Sequence, residues 1–180
     1  MTYKKERGMG MELKIPENFF VGAAMSGPQT EGAYKTGGRL ESIWDTWSDL
    51  SISYFYNKVG SYVGNNFYEK YEDDIKLLKS LHMDSFRTSM QWSRLLTKDG
   101  KLNQEGAQFY HKVCKCAKEN QIELFMNLYH FDMPTYLFER GGWESRDVVE
   151  AYAAYARAAF REFGSEIRYW FTFNEPIVEP

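Results

Sequence analysis

The residues with the clearest chemical potential form the tripeptide Asn174-Glu175-Pro176, which directly follows an aromatic run, "YWFTF". A glutamate placed where an apolar strand ends lies at a rim where burial can raise its pKa, and such a carboxyl can act as a general acid. A loop glutamate is also commonly a solvated carboxylate without any such role. The neighbouring Asn174, the aromatic strand and the polar residues that follow the other predicted strands favour a catalytic role for Glu175.

Four further polar side chains are candidates for binding or support. Gln29 has an amide that both donates and accepts hydrogen bonds, which suits paired contacts with sugar hydroxyls. His130 follows another apolar run, and it could equally be a structural histidine. Asp132 could fix the tautomer of that ring or cap the next turn. Arg87 lies within a predicted strand, where a buried guanidinium needs a carboxylate partner that the sequence does not make obvious.

Other kinds of chemistry find little support in the sequence. The chain shows no His/Cys cluster with the spacing of a zinc site and no glycine-rich phosphate loop, so we predict neither a metal nor a cofactor. The formal net charge is −3, with acids and bases mixed along the chain. Because no basic stripe stands out, nucleic acid is not an expected partner.

The elements that position these residues repeat along the chain. Apolar runs of strand length alternate with amphipathic stretches whose apolar residues recur at helical spacing. On one predicted helix, Cys114 and Cys116 point to different faces, so we expect two free thiols, buried or half-buried. Asp147 followed by Glu150 predicts a capping box, and Gly164 predicts the end of that helix. The predicted strands span 19–25, 84–90, 122–128 and 167–173, and the predicted helices span about 65–81, 103–119 and 147–163.

Strands and helices that alternate in this way predict an α/β fold with a parallel sheet. An open doubly wound sheet would place a short glycine-rich turn after the first strand, where this chain has "SGPQTEG". Polar or aromatic side chains instead follow all four strands, which is where (β/α)8 barrels hold their active sites. A barrel needs eight strands and roughly 200 residues or more. The 180 residues therefore predict half of a (β/α)8 TIM barrel, with about four βα units.

Five segments, in this order and spacing, resemble glycoside hydrolase family 1: "SGPQTEGAY", "SIWDTW", "FRTSMQWSRL", "NLYHFDMPTYL" and "FTFNEP". The resemblance implies that residues 15–180 form the N-terminal half of the family's catalytic barrel. The polar residues 1–14 are expected to be a loose leader. A different barrel glycosidase with an Asn-Glu-Pro motif, such as a cellulase, fits these phased segments less well.

The resemblance also implies roles for the candidate residues. Glu175 matches the general acid/base, and Asn174 matches the residue that binds the sugar 2-hydroxyl. Gln29 and His130 match residues that hold the hydroxyls of the glycone. Arg87 matches the arginine that contacts the nucleophilic carboxylate. The implied reaction retains anomeric configuration and uses two carboxyl groups about 5–5.5 Å apart.

The nucleophile of that reaction is not among these residues. In the family it follows the seventh barrel strand, whereas this chain contains four predicted strands. Glu31, Asp45 and Asp132 are the nearest local substitutes, and none of them matches the family's nucleophile motif. The resemblance therefore implies a chain that is inactive alone and competent only with the missing C-terminal half.

Two departures from the common family pattern resemble the branch that acts on 6-phosphorylated β-glycosides, the 6-phospho-β-glucosidases. They are Pro28-Gln29-Thr30-Glu31-Gly32 and His130-Phe131-Asp132. A phosphorylated β-glucoside is then the expected substrate, and the cytoplasm is the expected location. The N-terminus has no apolar signal region, and no apolar run reaches the roughly 18–20 residues that span a bilayer. We therefore expect no membrane association.

Two hypotheses of different classes remain open at this point. The first is an enzyme that hydrolyses β-glucosides, and the second is a non-catalytic sugar-binding or regulatory fragment of the same fold. In either case the first and fourth strands would be unpaired sheet edges. We therefore expect association with a complementary half-barrel or self-association.

Overall fold

The structure is a computed structural model, and it describes residues 14–50 and 54–178. Almost all of the predicted leader therefore lies outside the described residues. Four short strands form one sheet in the order β1-β2-β3-β4, and every neighbouring pair is parallel. The strands are β1 (Gly22–Ala24), β2 (Ser85–Ser89), β3 (Glu123–Asn127) and β4 (Tyr169–Phe171).

Long helices connect successive strands, as the periodicity predicts. Four shorter helices lie in the segments that follow the strands, and these were not predicted, because a helix of one or two turns is too short to show a clear period. The helices are α1 (Gly27–Thr30), α2 (Ile43–Leu50), α3 (Phe67–Ser80), α4 (Trp92–Leu95), α5 (Gln104–Glu119), α6 (Thr135–Phe138) and α7 (Arg146–Phe163). None of these described helices is long and apolar enough to cross a membrane.

Some predicted boundaries are wrong. Each strand is shorter than its apolar run, because the regular ladder stops earlier and only single backbone hydrogen bonds continue beyond it. The capping box at the start of α7 is also absent. Ser145 is the N-cap residue, and Glu150 pairs with Arg146 at 2.6 Å. Gly164 does follow the helix, but it has a right-handed conformation with φ −64° and not the left-handed one common at helix ends.

The sheet has one face against the helices and one face away from them. Side chains alternate along each strand, so Phe86, Leu124 and Met126 lie on the helix-covered face and are buried in the core. On the opposite face, the register aligns Arg87 with Phe125. These two half-buried side chains lie on what would be the inside of a closed barrel.

Aromatic packing on α7 holds the carboxyl ends of β2 and β3 together. The Tyr155 ring stacks on Trp92 with centroids 5.4 Å apart, and both side chains are buried. The Tyr155 hydroxyl lies 2.8 Å from the carbonyl oxygen of Met90 and 2.9 Å from that of Leu128. These carbonyls directly follow β2 and β3. Tyr155 on α7 therefore holds the carboxyl ends of both strands in fixed positions.

The two cysteines are free and buried, which confirms the prediction from their spacing. Burial raises the pKa of the Cys114 thiol to about 12. This thiol is therefore protonated and unreactive at neutral pH, since the thiolate is the reactive form. Both cysteines serve as small apolar residues of the core between α5 and its neighbours.

The face of the sheet away from the helices carries a partly exposed aromatic cluster. Phe125 stacks on Tyr169 with ring centroids 4.6 Å apart, and Phe20 packs edge-on against both rings. Phe20 is 42% exposed and Phe171 is 44% exposed. Within residues 14–50 and 54–178 the sheet ends at β1 and β4, as predicted, and no described element covers this face.

Candidate active site

The residues that follow the four strands gather at one edge of the sheet, because parallel strands end on the same side. Backbone hydrogen bonds continue past the strand ends and tie these loops to one another. The amides of Met25, Met90 and Asn174 donate to the carbonyl oxygens of Arg87, Asn127 and Tyr129, respectively, each at 2.9 Å. Backbone contacts alone therefore fix the loop after each strand to the neighbouring strand or loop.

Arg87 and Asn174 are in direct contact at this edge. The Arg87 Nη2 group donates to Asn174 Oδ1 at 2.8 Å, and the guanidinium lies 5.6 Å from the centroid of the Phe171 ring. Within the described residues the polar partner of Arg87 is therefore an amide oxygen, and no carboxylate binds it. The bond orients the Asn174 side chain with its oxygen toward β2.

His130 is buried at the same edge. Its Nδ1 atom has no hydrogen-bond partner among the described residues. Burial and the nearby charge of Arg87 lower the pKa of His130 to about 4. The ring is therefore neutral at neutral pH. Its Nδ1 atom is an exception to the rule that buried polar atoms are hydrogen-bonded.

One interpretation of the sequence was that Asp132 fixes the tautomer of the His130 ring. The structure shows that it does not. Its Oδ1 atom accepts from the backbone N–H of His130 at 3.2 Å, and its Oδ2 atom accepts from that of Trp92 at 2.7 Å. Burial raises the pKa of this carboxyl to about 7, although the two backbone donors act in the opposite direction. Asp132 therefore ties the loop after β3 to the loop after β2.

Glu175 and Gln29 lie at the solvent side of the edge. Both residues are exposed, so the enclosure expected for Glu175 is not provided by the described residues. Glu175 has φ 45°, a left-handed conformation that is uncommon for a residue with a side chain. Gln29 Oε1 accepts from Ser26 Oγ at 2.7 Å, which holds the amide close to the end of β1.

Glu31 is the centre of a buried polar network that sequence reasoning missed. Its Oε2 atom accepts from Arg94 Nε at 2.8 Å and from Gln91 Nε2 at 2.6 Å. Its Oε1 atom accepts from the Tyr110 hydroxyl at 2.8 Å. A carboxylate with three buried donors is a structural anchor, so Glu31 is not a substitute nucleophile.

Asp45 is engaged in a similar way. It forms a buried ion pair with Arg39, at 2.7 Å between Oδ2 and Nη1, and it accepts from the backbone and hydroxyl of Ser42. Arg39 also donates twice to Gln91 Oε1. The long segment after β1 is thus bound to the end of β2 through Gln91. No sequence signal identified the contact between Arg39 and Gln91, since the two residues are 52 positions apart.

Taken together, these side chains define a polar site at the carboxyl edge of a parallel α/β sheet, the arrangement found in (β/α)8 barrel proteins. In the part of the chain that the structure describes, no group of three or more His, Cys, Asp or Glu side chains is placed to hold a metal ion. Residues 11–179 match the model of Glycosyl hydrolase family 1. The chain belongs to this family.

Several proteins resemble the chain closely. The 6-phospho-beta-glucosidase GmuD of Bacillus subtilis is 43% identical over 93% of the chain and 36% of the relative. Beta-glucosidase 9 of Arabidopsis thaliana is 40% identical over 91% of the chain and 32% of the relative. The chain thus spans about a third of the length of these curated relatives.

Solved structures agree with the family assignment. The GH1 beta-glucosidase from Exiguobacterium antarcticum B7 superposes with a TM-score of 0.86 at 37% identity, over 91% of the chain and 37% of that structure. The rice Os3BGlu6 beta-glucosidase gives a TM-score of 0.84 at 36% identity, over 91% of the chain and 34% of that structure. The fold is therefore the N-terminal half of a (β/α)8 barrel, as the sequence predicted.

Proposed function

We propose that this chain is the N-terminal half of a retaining β-glucosidase and that it hydrolyses β-glucosides when a C-terminal half completes the barrel. The proposal rests on membership of the family and on the residues at the carboxyl edge of the sheet. The observation that carries it is the hydrogen bond from Arg87 Nη2 to Asn174 Oδ1 at 2.8 Å, which brings the side chains of β2 and of the segment after β4 together at the carboxyl edge, beside Glu175.

Each candidate residue has one chemical role in this reaction. Gln29, His130 and Asn174 bind hydroxyls of the glycone. Glu175 protonates the leaving oxygen and later activates a water molecule. Arg87 supports the nucleophilic carboxylate, which the complementary half supplies.

The second carboxyl group has to come from outside the described residues. A retaining mechanism needs two carboxyl groups about 5–5.5 Å apart. Glu31, Asp45 and Asp132 are all held by other groups, as described above. Loss of a nucleophile costs about 10⁶-fold in rate in a well-studied enzyme of another class. We therefore expect the 180-residue chain alone to be inactive.

The substrate class can be narrowed one step further. We infer a 6-phosphorylated β-glucoside, because the loops around Gln29 and His130 carry the variants noted in the sequence and because one close relative is named as a 6-phospho-beta-glucosidase. Phosphorylated sugars are cytoplasmic metabolites, so this inference also places the protein in the cytoplasm. The groups that would bind the phosphate are expected in the C-terminal half.

The test is to complete the barrel. The C-terminal half of the Bacillus subtilis relative is fused to this chain or co-expressed with it, and chromogenic β-glucosides with and without a 6-phosphate are assayed. Glu175→Gln should lower kcat by about 10²–10⁴-fold, the usual contribution of a general acid–base. Glu139→Gln, a change at another exposed glutamate, should leave kcat unchanged.

The outcomes separate the two parts of the proposal. If a folded, completed barrel hydrolyses neither compound, the enzymatic function is wrong. If the unphosphorylated compound is turned over as well as the phosphorylated one or better, only the phosphorylated substrate is wrong. If Glu175→Gln retains full activity, the role assigned to Glu175 is wrong.

A further inference from the structure

A histidine on the outer helical layer is held between two carboxylates. His111 on α5 lies with Nε2 at 2.9 Å from Glu162 Oε1 and with Nδ1 at 2.6 Å from Glu166 Oε1. Glu162 belongs to the last turn of α7, and Glu166 lies in the turn that leads to β4. The ring also packs against Phe163, with centroids 4.5 Å apart. The His111 side chain therefore joins α5 to the last turn of α7 and to the turn that follows it.

The geometry specifies the protonation state of the ring. Ionised carboxylates only accept hydrogen bonds, and a neutral imidazole has a single N–H group. Both contacts with His111 can be hydrogen bonds only if both ring nitrogens carry a proton, which is the cationic form. In the neutral ring, one nitrogen lone pair would face a carboxylate oxygen, and that contact would be repulsive.

The surroundings of the ring contain few other charges. Glu162 and Glu166 are the charged groups that face it from α7 and from the following turn. On α5 itself, the nearest charged residues in sequence are Lys112 and Lys115, which are exposed. Helix α3 packs on α5 through aromatic contacts, including that of Tyr68 with Phe109, and it places no ionisable partner on the His111 ring.

We propose that His111, Glu162 and Glu166 form a pH-sensitive clamp that fixes the end of α7 to α5 while the ring is protonated and releases it when the ring loses its proton. The clamp lies in the helical layer and in the turn before β4, whereas the candidate active site follows the carboxyl ends of the strands. Its position still links it to that site, because the turn it holds leads into β4 and then to Asn174 and Glu175. This proposal holds whether or not the proposed function is correct.

The direction of the pH effect follows from thermodynamic linkage. Partial burial lowers the pKa of His111, but the hydrogen bond with Glu162 and the charge of Glu166 outweigh that effect and raise it above its ordinary value. A histidine whose pKa is higher in the folded state stabilises that state fully below the unfolded pKa. This contribution is lost as the pH rises through the folded pKa, so the clamp weakens on the alkaline side.

Proton NMR of the ring C–H signals tests the protonation step in this chain. The reference is the same ring in the chain unfolded by urea. The His111 signal should titrate at a higher pH in the folded chain than in the unfolded chain. Glu162→Gln and Glu166→Gln should each lower the His111 midpoint. A His111 midpoint in the folded chain at or below that in the unfolded chain would overturn the proposal.

Amide hydrogen exchange tests the mechanical step. The amides of Gly164 and Ile167 donate to the carbonyl oxygens of Phe160 and Phe163 at the end of α7. After correction for intrinsic exchange, their protection should fall as the His111 ring deprotonates, whereas that of Asn120 at the end of α5 should not. His111→Gln should abolish the pH dependence, and the control His82→Gln should preserve it. Equal pH dependence in the wild type and in His111→Gln would show that no clamp operates.

Discussion

At the scale of single residues, burial decides which polar side chains are available to a ligand. Glu31, Asp45 and Asp132 are buried and hold the loops together through several donors each. His130 is also buried, but one of its ring nitrogens has no partner within the described residues. Glu175 is exposed, with no hydrogen bond to its carboxylate in the described part of the chain. Residues of the same chemical type therefore have opposite roles, which their surroundings determine.

Replacing Arg87 with methionine should raise the pKa of His130 from about 4 toward its ordinary value. The positive charge of Arg87 disfavours the imidazolium, whereas the larger contribution from burial remains, so the rise should be incomplete. An NMR titration of His130 measures the effect. Arg168→Met, at an exposed arginine, is the control and should leave the midpoint unchanged. An unaltered His130 pKa in Arg87→Met would contradict the electrostatic influence of Arg87 on His130.

Replacing Glu31 with glutamine should destabilise the fold by about 3 kcal/mol, the lower end of the cost of breaking a buried ion pair. Arg94 is fully buried, and its guanidinium cannot lose its proton, so the unpaired charge would remain inside the protein. Urea unfolding gives the free-energy difference. Glu72→Gln breaks an exposed pair with Lys76 and should cost less than about 1 kcal/mol. Equal effects of both changes would refute the anchoring role of Glu31.

At the scale of elements, close packing between α5 and the segment after β2 sets the position of the site loops. Gly106 lies on α5 where the helix meets Arg94, and a β-carbon at Gly106 would come within 2.2 Å of the Arg94 carbonyl oxygen. The neighbouring Tyr110 reaches the same region and bonds both Glu31 and the backbone of Gln91. The helix therefore approaches the loop that carries the buried network as closely as backbone contact allows.

Gly106→Ala should destabilise the protein even though alanine favours a helix. The gain in helix propensity is about 1 kcal/mol. The clash with a backbone atom should exceed it, since overpacking costs about 1–3 kcal/mol or more. Gln108→Ala, at an exposed position on the same helix, should be neutral or slightly stabilising. A stabilised Gly106→Ala protein in urea unfolding would show that α5 can move away from the loop without cost.

At the scale of the whole molecule, four strands leave a sheet that is covered on one face only. Phe20, Phe125, Tyr169 and Phe171 lie on the other face, and each outer strand has one edge that no other described strand pairs with. Exposed apolar patches and unpaired edges favour association. In the family, this region corresponds to the inside of the closed barrel, which is why so many aromatic side chains occur there.

The double substitution Phe20→Ser and Phe171→Ser should reduce association of this chain. Sedimentation velocity at increasing protein concentration measures the effect as a smaller rise in sedimentation coefficient. Leu77→Ser changes an exposed residue on α3, on the outer side of the molecule, and should not alter it. Association that persists unchanged in the double variant would place the contact surface elsewhere.

Much of the fold could be predicted from the sequence because its signals are local. Apolar periodicity gave the three long helices and the four strands, and the residues after each strand pointed to one functional edge. The spacing of Cys114 and Cys116 indicated free thiols correctly. Strand limits and the start of α7 were less accurate, because pairing and capping depend on neighbours that are distant in sequence.

The candidate site, like the fold, could be predicted from the sequence only in part. The types and positions of Gln29, Arg87, His130, Asn174 and Glu175 are properties of the sequence, and together with the family motifs they indicate a glycosidase half-barrel. Only the tertiary structure decided that Arg87 meets Asn174, that Glu31 is an anchor and that His130 retains an unpartnered nitrogen. These facts depend on contacts between residues about 40 or more positions apart. Chain folding sets such contacts, and local sequence preferences do not encode them.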